Sequence, residues 1–148
     1  MTELTDLINI LEKELISLET LREVVLCKQN AIVKHNYDAL KIALTEEEAA
    51  IKGVTEHEQQ RLAFIAHCID DLDAKMQTLT LQEVVEQLNY TRTDELTQLE
   101  GRLRNTLQQI TYLNDQNKML VNNSMNFIKE TINIVTQNKS RQLINRTV

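Results

Sequence analysis

A chain of 148 residues with no proline, only two glycines, 42% hydrophobic and 26% charged residues has the makings of one soluble, all-helical domain. That composition excludes a disordered chain. No apolar run approaches about 18 residues, and Glu3 and Asp6 stand where a leader would carry Lys or Arg, so neither a membrane span nor a signal peptide is expected and the reading is cytoplasmic. The net charge of −6 is uneven: residues 1–100 hold 20 Asp and Glu against 9 Lys and Arg, residues 101–148 hold 2 against 7. The basic residues are dispersed and lack interleaved aromatics, which argues against nucleic acid as a partner. Five aromatic residues and no Trp leave Leu, Ile and Val to fill the core, as in helix bundles.

The first helix is predicted over about 3–34. Leu4, Ile8, Leu11, Leu15, Leu18, Val25 and Ile32 keep heptad spacing, with Arg22 and Gln29 as polar interruptions. Glu12, Glu19 and Glu23 line one flank and make it acidic. His35-Asn36-Tyr37-Asp38 breaks the pattern, and either Asn or Asp can cap the next helix. The second helix is predicted over about 38–74, with a stripe of Leu40, Leu44, Ile51, Val54, Leu62, Ile65, Ile69 and Leu72. Gly53 costs about 1 kcal/mol relative to Ala there and leaves room for a close helix crossing. Thr80-Leu-Gln-Glu83 has capping-box form and opens a short helix over about 81–88, after which Thr93 is a suitable N-cap for the last helix.

That last helix, predicted over 94–138, is the longest. Leu96, Leu99, Leu103, Thr106, Ile110, Leu113, Asn117, Leu120, Ser124, Phe127, Thr131 and Ile134 hold an a/d seam for about five heptads. From Val121 a second seam of Met125, Ile128, Ile132 and Val135 runs beside it. One stripe suffices to dock on a neighbouring helix of the same chain; two suggest a further partner. Asn117, Ser124 and Thr131 on the seam, with Asn114 beside it, either set register or partner choice or face water at an exposed end. With Met119 and Met125 as soft contact surface, the segment reads as an adaptable groove for another amphipathic helix. The tail, 139–148, has Lys139, Arg141 and Arg146, no acid and little apolar pattern, and is expected to be disordered. The whole reads as an elongated antiparallel three-helix bundle or coiled coil over 1–138.

Catalytic and metal chemistry find no support. His35, His57 and His67 offer no i, i+4 ligand pair, the acid runs Glu46-Glu47-Glu48 and Asp70-Asp71-Asp73 lack a glycine-bearing calcium loop, and there is no nucleophile elbow or P-loop. Cys27 and Cys68 read as reduced, small apolar residues. The expectation is a protein without cofactor and without enzymatic activity.

The run Leu113-Asn114-x-x-Asn117-x-x-Leu120, followed by Phe127-Ile128 and Ile132-x-Ile134-Val135, resembles the C-terminal signature of the FlgN-type flagellar export chaperones. The acidic leucine-rich first helix, the break before Asp38-Ala39-Leu40 and the Glu58-x-x-Arg61-Leu62 stretch agree in order, so the resemblance covers about residues 4–136. It implies a cytoplasmic chaperone that binds the C-terminal helical segments of the two hook–filament junction proteins (FlgK-like and FlgL-like cargo), keeps them from assembling early, and delivers them to the flagellar export apparatus. It also places partner binding on Leu113, Asn114, Asn117, Leu120, Val121, Ser124, Met125, Phe127, Ile128, Ile132 and Val135. Some members carry a tyrosine beyond this helix that contacts the export gate; residues 139–148 have none here. A structural coiled-coil homodimer or a general helical adaptor is the alternative, and both a monomer and a homodimer are compatible with the pattern.

Overall fold

The computed structural model describes residues 2–68 and 94–147, with side chains over 4–67 and 94–139. These residues form three α-helices: α1 (Thr2–Val33), α2 (Tyr37–Cys68) and α3 (Asp94–Thr147). The short helix expected over 81–88, its capping box, the N-cap Thr93, the 69–74 end of the second helix, the acidic run at 70–73 and the Cys68 side chain lie outside the described residues.

α1 is the shared partner. Both α2 and α3 pack along it and hardly touch each other. α2 runs antiparallel to α1, as the pairs Lys28–Glu47 (3.1 Å) and Glu14–Arg61 (3.5 Å) require. α3 runs parallel to α1: Arg22 Nη1 donates to Gln109 Oε1 (2.7 Å) and Gln29 Nε2 to Gln116 Oε1 (3.0 Å), both 87 residues apart, while Glu19 pairs with Arg102 at 3.1 Å. The result is an up–down–up helical bundle. Its best-packed end gathers Leu4, Leu7, Ile8, Leu11 and Leu15 of α1 with Leu96 and Leu99 of α3, and Phe64 of α2 and Leu103 of α3 lean on this cluster. The heptad residues of α1 therefore do what their spacing predicts: Leu18, Val25 and Ile32 continue the buried line toward the other end.

The turn between α1 and α2 is closed by backbone geometry. Asn36 N–H donates to Ala31 O (3.0 Å) and His35 N–H to Ile32 O (3.2 Å), the two bonds of a Schellman motif, with His35 left-handed at φ 52°. Asn36 then caps α2, its Oδ1 accepting from Ala39 N–H at 3.1 Å. Of the two capping residues the sequence offers, Asn36 performs the role. A histidine at a left-handed C′ position costs about 1 kcal/mol that glycine would not. His35→Gly is thus expected to raise the unfolding free energy by about 1 kcal/mol, read as a higher urea midpoint at unchanged slope.

Three expectations need correction. Helix α3 continues to Thr147, nine residues past the predicted end, so 139–147 are helical; the segment lacks Pro and Gly and is built of residues that tolerate helix well, which outweighs its lack of an apolar stripe. Gly53 does not mark a close crossing, because a Cβ there would meet nothing within 4 Å. Cys27 is an exposed free thiol and not core filler.

One acid is out of place by polarity. Glu14, 8% exposed, is buried between α1 and α2 beside Arg61. Burial raises its carboxyl above the usual value of 4.5, with Glu58 adding to the rise and Arg61 and His57 opposing it. The folded state then holds a proton that the unfolded state releases, so stability falls as pH rises upward from about 4.5. Glu14→Gln should abolish that decline. Denaturant titrations at pH 4.5 and pH 7 check this: the variant gains on the parent chain toward pH 7.

Candidate functional site

The cross-helix pairs fix where α3 leaves the bundle. With an offset of 87 residues, the end of α1 at Val33 faces about residue 120 of α3. The remaining 27 residues, to Thr147, run about 40 Å past the end of α1 at ~1.5 Å per residue, the first of them passing beside the α1–α2 turn. Their apolar side chains keep helical spacing, and past Ile128 they have no described helix to pack on. Val121, Met125, Phe127, Ile128, Ile132, Ile134 and Val135 are all exposed, Phe127 to 69%. So many large apolar groups on one exposed helix make a candidate interaction surface.

The seam residues separate at this point. Asn117 is buried to 3% exposure, and its Nδ2 donates to the Val25 carbonyl at 3.4 Å, a long bond that keys α3 against α1. Its Oδ1 has no hydrogen-bond partner among the described residues. Buried polarity on the seam thus goes with register here. Thr106, eleven residues earlier on the seam, is also buried and satisfied by its own helix, donating to the Arg102 carbonyl at 2.8 Å. Ser124 is half-buried, and Thr131 is exposed, its hydroxyl donating to the Phe127 carbonyl at 2.9 Å. Those two seam positions lie past the end of α1.

At the base of the overhang lies a groove of about 610 Å³. Leu120, Val121, Ser124, Met125, Phe127 and Ile128 of α3 form one wall; Ala31, Ile32, His35, Tyr37 and Leu40, from the α1–α2 turn and its flanks, form the other. A second groove of about 620 Å³ adjoins it at Val121, lined by Asn114, Asn117, Lys118 and Asn122 of α3 with Lys28 and Glu47. The structure thus brings eight of the eleven sequence-derived site residues into two joined grooves. Leu113 turns to the opposite side, beside Arg22 and Leu26. Ile132 and Val135 lie farther along the overhang, outside both grooves.

The wall supplied by the α1–α2 turn was not among the sequence-derived site residues. Tyr37 was its one available signal: an aromatic residue at a helix start, in a chain with few aromatics, that proves 68% exposed. Among the described residues no group of three or more His, Cys, Asp or Glu side chains converges to hold a metal ion, and no helix is long and apolar enough to cross a membrane.

Fold and grooves together describe an all-α protein with a long helix that leaves a run of apolar side chains exposed. The chain belongs to the FlgN family: the family model described as FlgN protein matches residues 1–147. This is a family of flagellar export chaperones, not known for catalysis, whose members bind hook-associated flagellar proteins. No curated protein and no solved structure matches the chain.

Proposed function

We propose that this chain is a cytoplasmic chaperone that binds the C-terminal helical segments of the hook–filament junction proteins, prevents their premature assembly, and delivers them to the flagellar export gate. The observation that carries the reading is the overhang of α3, whose apolar side chains from Val121 to Val135 lie exposed beyond the end of α1. A cargo segment that polymerises through apolar heptads needs such a face, since an amphipathic helix lays its stripe on another and is released when a better partner competes. The reading assigns cargo contact to Leu120, Val121, Ser124, Met125, Phe127, Ile128, Ile132 and Val135, with Leu113, Asn114 and Asn117 where the overhang meets the bundle.

Light scattering on the purified chain mixed with a purified hook-associated protein tests it. A complex of defined stoichiometry supports the chaperone reading. An obligate homodimer whose mass is indifferent to the added protein sinks it in favour of a structural coiled coil.

A further inference from the structure

We infer that the cargo helix is received between two walls, α3 on one side and the first half of α2 on the other, and that it carries acidic residues along the edge that faces α3. The inference rests on the chaperone reading above and adds to it a second binding element and the charge of the occupant.

The two grooves that meet at Val121 form one furrow, because α2 and α3 each pack on α1 and hardly on each other. Leu40 and Glu47 place the α2 side of that furrow. Leu44 and Ile51 each follow one of them by four residues, so they share its strip of helix surface, and both are about half exposed. Tyr37 begins the same strip. Beside Tyr37 and Leu40, at the open end of the strip, stand Val121 and Met125, also exposed. Two helices that rest on a common third and turn unpartnered apolar side chains toward the space between them leave the position of a fourth helix open.

Charge selects the occupant. On α3, Lys118 lines the furrow, and Lys129 follows it by eleven residues, three turns on, along the same edge. Neither lysine has an ion-pair partner among the described residues. Lys28, the other cation lining the furrow, is neutralised by Glu47 at 3.1 Å. A chain with a net charge of −6 therefore presents two unpaired cations beside its apolar furrow. They complement an amphipathic helix with acidic residues about three turns apart and disfavour a basic one. A second copy of this chain fits poorly, since its own overhang carries Lys129 and Lys139 against the single acid Glu130 over 121–139.

The test measures binding of a labelled peptide, the C-terminal helical segment of a hook-associated protein, to the full chain and three double variants. Leu44→Asp with Ile51→Asp alters side chains that are already half exposed, so the helical signal should persist while affinity falls about tenfold or more. Lys118→Glu with Lys129→Glu should weaken binding several-fold, and a peptide whose acidic flank is changed to lysine should recover it. Leu120→Asp with Ile128→Asp is the reference. If that reference loses the peptide while the α2 variant binds as the parent does, the two-walled seat is overturned and the chaperone reading stands. If the reference itself still binds, the reading beneath the inference fails. If the charge variant and the lysine peptide leave affinity unchanged, the acidic flank is overturned. If the α2 variant instead abolishes a concentration-dependent dimer and leaves peptide affinity intact, the furrow belongs to a second copy and the inference is overturned.

Discussion

Changing Leu120 and Ile128 together to aspartate is expected to abolish co-purification of hook-associated cargo while the free protein keeps its helical content. Neither residue belongs to the buried cluster that holds the bundle together. Ile128 is half exposed and Leu120 lines the groove at the base of the overhang, so neither substitution strands a carboxylate in the core. The folded chain loses only part of one leucine's burial and some helix propensity, about 1–2 kcal/mol together. The complex loses far more. A cargo helix seated over these positions would bury two carboxylates without partners, and a few kcal/mol for each exceeds the roughly 2.7 kcal/mol that separates capture from a 100-fold weaker encounter. Circular dichroism of the variant and pull-down of cargo read the two effects separately. Cargo retained by a helical double variant would place the site elsewhere.

The second large effect lies at the opposite end of the molecule. Leu7→Ala is expected to lower the unfolding free energy by about 3 kcal/mol, since Leu7 is fully buried in the cluster where α1 meets α3 and where Phe64 of α2 leans in. The loss combines the transfer of the removed atoms with the void they leave, and a site shared by three helices cannot collapse to fill it. Urea denaturation should show a lower midpoint with an unchanged slope. The two substitutions separate function from fold: Leu7→Ala weakens cargo capture only as far as it depletes the folded chain, whereas the double variant acts on capture directly.

The sequence is readable where one periodicity governs. Leu4 to Ile32 keep a single heptad line, and that line is the buried face of α1, because a helix flanked by two neighbours has its apolar residues chosen by both. The presence of a break and a cap at 35–38 could likewise be read from residue types alone, though the choice of Asn36 over Asp38 came from the structure. Three things could not. The burial of Glu14 depends on a cross-helix pairing with Arg61 that no local pattern encodes. The different fates of Asn117 and Thr131, both seam positions on one helix, depend on where α1 ends, which is a property of the packing offset and not of α3. The second wall of the groove comes from a turn nearly ninety positions away, and Tyr37 and Leu40 acquire their meaning only when α3 passes beside them.

The parallel pairing of α1 with α3 sets an order on assembly. Contacts between α1 and α2 close loops of 19 residues at Lys28–Glu47 to 47 residues at Glu14–Arg61, whereas those between α1 and α3 span 83 to 92 residues. At about 0.6 kcal/mol per doubling of loop length, docking the third helix on α1 costs about 0.5 to 1.3 kcal/mol more in chain entropy. The N-terminal hairpin is also complete as soon as α2 has been synthesised. The helix proposed to carry the cargo face is therefore the last to be committed to the fold.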